Sequence, residues 1–255
     1  MSLNKSGLKV PRQGNVIPKS AVKKPKIRFL FTAGPTVEPL DPVRFISNRA
    51  SGTLGFALAK AAVKAGHRVR LVHGPVSDDL IRAAPKKVAL LPIRTAEMMR
   101  AVVFECVKTA DIVIMNAAVA DFQAARFSAI KIKKKGSFLL KLKPTRDILK
   151  ELGRYKRAHK NLVLIGFALE TGSGRTPAAR RRSALKSALH KLESKNLDAI
   201  ILNSPGTIGA RSGDFLLIQP GADPIPMPGT KEIFAKKLVR FAAQLRLTKE
   251  RGDKR

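Results

Sequence analysis

Three short stretches of this 255-residue chain combine small residues with side chains suited to holding an anion. The first is Thr32-Ala33-Gly34-Pro35-Thr36, followed by Asp41-Pro42-Val43-Arg44-Phe45-Ile46-Ser47-Asn48-Arg49-Ala50-Ser51-Gly52. Gly34 ends an apolar run in a turn. Ser51 and Gly52 open a helical pattern, where unpaired backbone N–H groups and the helix dipole favour a phosphate or carboxylate. The spacing is not G-x-G-x-x-G, so on spacing alone an ordinary helix start after a loop fits as well. The second stretch is Asn116-Ala117-Ala118-Val119-Ala120-Asp121-Phe122. Its small residues let a ligand approach the backbone, and Asp121 offers a carboxylate to a sugar hydroxyl. A tight turn with a surface aspartate reads the same way. In the third, Gly166-Phe167-Ala168-Leu169-Glu170-Thr171, Phe167 either meets a base or fills the core.

Lysines complete the set. Lys131, Lys133, Lys134 and Lys135 fall in a polar stretch, Arg126 to Gly136, read as a mobile loop. A lysine swinging over a triphosphate would neutralise charge developing at phosphorus. Lys191 and Lys195 stand four apart on a helical pattern and share a face. For any one of these lysines, a solvated surface is the plain alternative.

These residues need a frame, and apolar periodicity supplies one. Ile27–Ala33, His67–His73, Val88–Ile93, Asp111–Asn116, Leu162–Ala168, Asp198–Leu202 and Phe215–Ile218 read as strands, and Phe138–Lys143 as an exposed one. Between them Thr53–Ala65, Thr95–Lys108, Thr145–Leu152, Pro177–Lys195 and Lys231–Leu245 read as helices. Strands apolar throughout, alternating with helices, indicate a mostly parallel sheet covered on both faces. The expected fold is α/β, Rossmann-like and doubly wound, with ligands at the carboxyl ends of the strands. Residues 1–26 are expected to be a flexible basic arm, 27–247 the folded domain and 248–255 a charged tail.

Composition narrows the function. There are 50 Lys+Arg and 18 Asp+Glu, a formal net charge of +32. Residues 1–26 hold seven basic and no acidic side chains, and residues 121–200 hold 20 basic and six acidic. Such a surface draws anions over a Debye length, about 8 Å at physiological salt. A plainly solvated basic surface is the first reading and an anionic nucleotide substrate the second; nucleic acid is the least, because Trp is absent and there is one Tyr to stack on bases. A nicotinamide-dependent oxidoreductase is disfavoured by the missing G-x-G-x-x-G and by Tyr155 preceding His159 rather than a lysine. The single cysteine, Cys106, excludes an internal disulfide framework and a cysteine-rich zinc site. No apolar run approaches the roughly 20 residues of a membrane span, and the start lacks a secretory signal. A cytoplasmic protein is expected.

Five motifs in order, GPTxEPLDPVRFISNxxSG, AAVADF, KIKK, GFAxET and KxxxKNLDxI, closely resemble the phosphopantothenate–cysteine ligase family, over about Ile27 to Leu245. The resemblance implies a ligase of coenzyme A biosynthesis. It joins 4′-phosphopantothenate to L-cysteine through an acyl-nucleotidylate, with CTP as co-substrate (ATP in eukaryotic members), Mg²⁺ on the phosphates, and no flavin or zinc. It implies that Asn48 and Arg44 serve conversion of that intermediate and Lys131 its formation. Met115, Asn116, Ala117, Asp121, Phe167, Lys191 and Lys195 would contact the nucleotide, as would Lys143 to Arg146. Gly34, Ser51 and Gly52 are read as the phosphate or substrate loop. The family often reads SNHSSG where this chain has Arg49, and Ser212-Gly213-Asp214 departs from the common pattern. A homodimer is implied, and the decarboxylase often fused to such domains is expected as a separate protein.

Overall fold

The computed structural model describes residues 26–134, 136–207 and 209–252. The arm read over 1–26, apart from Lys26, lies outside the described residues, as do Lys135, Ile208 and 253–255. Eight strands form the main sheet: β1 (Arg28–Ala33), β2 (Arg68–His73), β3 (Val88–Pro92), β4 (Ile112–Met115), β5 (Val163–Leu169), β6 (Ala199–Asn203), β7 (Phe215–Ile218) and β8 (Ile225–Pro226). Their spatial order is β8-β7-β6-β5-β4-β1-β2-β3. The pairings among β1 to β6 are parallel, and β7 and β8 add an antiparallel edge.

Among the described residues the α-helices are α1 (Thr53–Lys64), α2 (Asp78–Arg82), α3 (Ala96–Val107), α4 (Ile148–Ala158), α5 (Pro177–Ser194) and α6 (Lys231–Gly252). Strand side chains alternate between two cores. Phe29, Phe31, Ile112, Ile114 and Ile165 pack under α1 and α6, while Leu30, Val113, Leu164 and Ile200 pack under α3, α4 and α5. Each fully buried Phe or Ile contributes about 1.5–3 kcal/mol, so apolar strands sandwiched between helices are the stable outcome of this pattern.

The chain leaves β1 in one direction to build β2 and β3, then crosses to the other side to build β4. The boundary between β1 and β4 is therefore the topological switch point, where the loops diverge and leave a crevice.

Differences from the sequence reading have local causes. Helix α4 starts at Ile148, not Thr145, because the Asp147 side chain accepts from Lys150 N and caps it. Thr145 is occupied elsewhere: its hydroxyl donates to Ala120 O at 2.6 Å. The helix also runs through Gly153, where a Cβ would sit 1.8 Å from Lys195 O, so that glycine permits a close backbone approach rather than ending the helix. Of the strand expected over Phe138–Lys143, only Leu142 and Lys143 fall in a strand, Leu142–Pro144, which pairs antiparallel with Phe122–Ala124. A second hairpin, Val37–Pro39 with Phe45–Ser47, and helix α2 have no counterpart in the reading. Helix α6 extends to Gly252 and takes in the first residues of the segment read as a tail.

At the amino end of β1, Arg28 grips Asp111 through its backbone N–H and both ends of its guanidinium. Burial pushes the Asp111 carboxyl up, but these donors prevail and hold it below its usual value. A carboxyl so depressed stabilises the fold above its unfolded pKa, about 3.9, and loses that effect as pH falls through the folded value. The stability deficit of Asp111→Asn, followed by urea unfolding, is expected to be constant from about pH 5 to 8. It should shrink below pH 4.

Candidate functional site

Two adjoining cavities open at the carboxyl ends of β1, β4 and β5. The larger, about 740 Å³, is lined by Asn48, Met115, Ala117, Asp121, Phe167, Lys191 and Lys195. The smaller, about 180 Å³, is lined by Gly34, Ser51, Gly52, Thr53, Asn116, Phe167, Asn203 and Lys231. Arg49, Ala117, Ala118, Phe167 and Leu169 belong to both walls. The crevice therefore collects residues from all three stretches and from α5. Arg44 and Lys131 line neither cavity.

Buried threonines hold the loops. The Thr32 hydroxyl accepts from Asn116 N (3.1 Å) and Ala117 N (3.0 Å), and the Thr36 hydroxyl accepts from Ala120 N (2.9 Å). The backbone adds Ala118 N to Gly34 O and Thr36 N to Ala118 O. The N–H groups of Asn116 and Ala117 are thus spent inside the protein, and what this segment offers a ligand is close approach to small side chains. Asn48 closes the same corner, donating from Nδ2 to Val119 O (3.0 Å) and Ala118 O (3.3 Å).

The floor of the smaller cavity is the start of α1. Gly52, at φ 77°, sits at its N-cap, and no side chain caps the helix. A Cβ at Gly52 would lie 2.7 Å from Val76, and one at Gly55 would lie 2.4 Å from the Ala33 Cβ. Glycine is required at both for the helix end to meet β1. Beside it stands Lys231, which the sequence reading passed over. It is 8% exposed and donates to Thr53 Oγ1 at 2.9 Å. Burial lowers its pKa, opposed in part by Glu232. A lysine in the first turn of a helix opposes the dipole, and that mismatch was the available signal.

The larger cavity holds opposed charges. Lys191 pairs with Glu170 at 2.6 Å and Lys195 with Asp147 at 2.8 Å. Burial tends to raise the Asp147 carboxyl, but Lys195 and the Lys150 N–H bring it below the usual range. Asp121 and Arg146 also line this cavity. Phe167 is half-buried and sets its ring edge-on to Phe234, centroids 6.3 Å apart. It thus joins the core and forms a cavity wall at once. Among the described residues, no group of three or more His, Cys, Asp or Glu is placed to hold a metal ion. No helix there is long and apolar enough to cross a membrane.

The family model of the DNA/pantothenate metabolism flavoprotein C-terminal domain matches residues 25–245. The chain belongs to this family. It is the family that the five motifs resemble, the phosphopantothenoylcysteine synthetases. The coenzyme A biosynthesis bifunctional protein CoaBC of Bacillus subtilis (strain 168) is 44% identical over 186 residues, 72% of this chain and 42% of that protein. A protein named cysteine/cysteine sulfinic acid decarboxylase, from an unknown prokaryotic organism, is 44% identical over 187 residues, 73% of this chain and 48% of its own length. The chain thus spans about half the length of the curated relatives it matches. The crystal structure of a CoaBC C-terminal domain superposes with a TM-score of 0.69 at 31% identity, covering 86% of this chain and 95% of that one.

Proposed function

We propose that this chain joins 4′-phosphopantothenate to L-cysteine, using a nucleoside triphosphate, CTP by this reading. A carboxylate is inert to amines until one of its oxygens becomes a good leaving group. The substrate carboxylate attacks the α-phosphorus, pyrophosphate leaves, and the acyl-nucleotidylate forms. The cysteine amine then attacks the carbonyl carbon and expels the nucleoside monophosphate. Such a site needs cations and donors around phosphorus and close placement of the reactants.

The observation that carries this reading is the crevice that gathers Asn48, Asp121, Phe167, Lys191 and Lys195 at the switch point. Phe167 offers a face to a base, and Asp121 a carboxylate to the ribose. Arg49, Lys231 and the open start of α1 offer positive charge to the phosphates. Lys191 and Lys195, held by Glu170 and Asp147, would move to the nucleotide. Asn48 serves the second step and Lys131 the first. Mg²⁺ would arrive on the phosphate oxygens of the nucleotide, which leaves Asp121 to the ribose. Bound Mg²⁺ would neutralise phosphate charge.

A homodimer belongs to the same proposal. Phe45 and Phe122 stand on the two hairpins, and Phe127, Ile130, Phe138 and Leu139 in the segment that joins the strands of the second; each is at least half exposed. Large apolar side chains clustered at the surface mark an interface.

The test combines purified protein, 4′-phosphopantothenate, cysteine, Mg²⁺ and either CTP or ATP, and follows pyrophosphate. Release with CTP is expected, and release with neither nucleotide rejects the ligase reading. Lys231→Met tests the smaller cavity. A lost charge-assisted hydrogen bond is worth about 1.5–3 kcal/mol, so nucleotide affinity should fall about tenfold or more. Melting temperature should not fall, because the buried cation removed forms no ion pair among the described residues and feels Glu232 only weakly. Unchanged affinity by calorimetry would exclude Lys231 from the phosphate site.

A further inference from the structure

The segment carrying Lys131 is not a free loop. Ser128 N donates to Leu40 O at 2.9 Å, Ile132 N donates to Asp41 Oδ2 at 3.1 Å, and the Arg44 guanidinium donates to Ile132 O. Asp41 is 2% exposed. Its other oxygen, Oδ1, accepts from Val43 N and Arg44 N, both at 2.8 Å. We propose that Asp41, assisted by Arg44, is a positioning residue that clamps Ile132 and so presents Lys131 to the crevice.

The geometry separates two duties of one carboxylate. Closing the local turn takes a single oxygen, which asparagine supplies equally well. The second oxygen reaches 91 residues along the chain, and there asparagine would oppose an N–H with its own NH₂ group. Burying the carboxyl tends to raise its pKa, yet the three backbone N–H groups and Arg44 hold it below the ordinary range. It stays ionised and keeps both oxygens as acceptors. The N–H and C=O of Ile132 belong to the two successive peptide planes that flank it. Fixing both planes fixes the path of the backbone next to Lys131 while its side chain stays free. Holding a residue's backbone in one state costs about 1–2 kcal/mol of conformational entropy, and the clamp meets that cost before substrate arrives. This also gives Arg44 a place in the site although it lines neither cavity.

The functional half of this inference rests on the ligase reading; the structural half does not. In Asp41→Asn, hydrogen exchange of the Ile132 amide should accelerate at least tenfold, with melting temperature within a few degrees of wild type. Pyrophosphate release in the first turnover should fall about tenfold, in the rate rather than in KM for nucleotide. In a Lys131→Gln background the same substitution should cost less than about twofold. Arg44→Lys, at a partly exposed side chain, should show the same background dependence with a smaller loss. Unchanged Ile132 exchange in Asp41→Asn would overturn the clamp. Equal losses with and without Lys131 would overturn the positioning role. If wild type releases no pyrophosphate, the ligase reading fails, and the exchange measurement still decides the clamp.

Discussion

Asn48→Ala will release pyrophosphate in a first turnover close to that of wild type, then stall with the acyl-nucleotidylate bound. The reason lies in how Asn48 is held. Its Nδ2 is tied to the carbonyls of Ala118 and Val119, which orients the amide and leaves Oδ1 for a bound molecule. An acceptor fixed beside the acyl carbon would orient the incoming amine and take charge from it as the amide bond forms. Removing one preorganised polar group from such a step costs about 10²–10³-fold, and amide formation should fall by that amount. Rapid quench with labelled nucleotide separates the two steps. Loss of the pyrophosphate burst would move Asn48 to the first step or to folding.

The largest effect on stability is expected far from the crevice. Asp198 Oδ1 pairs with Lys156 at 2.8 Å and with Lys249 at 2.6 Å, and Oδ2 accepts from Leu164 N at 2.7 Å. The Asp198 and Lys156 side chains are 11% and 10% exposed. Asp198→Ala leaves two partly buried ammonium groups without a counter-charge, a change that costs about 3–5 kcal/mol. Burial lowers the Lys156 pKa, and Asp198 opposes that fall. Without Asp198 the folded value drops further. The unfolded state then binds more protons, so stability of the variant rises with pH. The deficit should be full at pH 7 and ease in alkali, as read by urea unfolding at several pH values. A deficit under about 1 kcal/mol would place the cluster among weak surface pairs.

Lys249 shows where the sequence was silent. It lies past residue 247, in a stretch that reads as a charged tail because nothing in its composition marks Asp198, just before β6, as its partner. The α/β fold was legible because strands buried on both faces must be apolar along their whole length, as in Ile112–Met115 and Val163–Leu169. The hairpins were barely legible, since each strand is three residues long, too short for a period, and only the Leu142–Pro144 strand was touched, by the reading over Phe138–Lys143. The cavity lining was legible in part: Asn48, Asp121, Phe167, Lys191 and Lys195, singled out in the sequence, border one crevice. Lys231 was missed because it reaches the site from the last helix, a contact set by the α1–α6 packing. Arg44 and Lys131 were singled out through their motifs, but the link between their segments through Ile132 is a backbone contact that side-chain patterns do not encode.

A carboxylate made reactive by nucleotidyl transfer in this crevice would lose one of its oxygens to the nucleotide. Labelling both carboxylate oxygens of 4′-phosphopantothenate with ¹⁸O tests it directly by mass spectrometry of the products. One ¹⁸O is expected in each nucleoside monophosphate released and none in pyrophosphate. Label in pyrophosphate or inorganic phosphate, with none in the monophosphate, would contradict it.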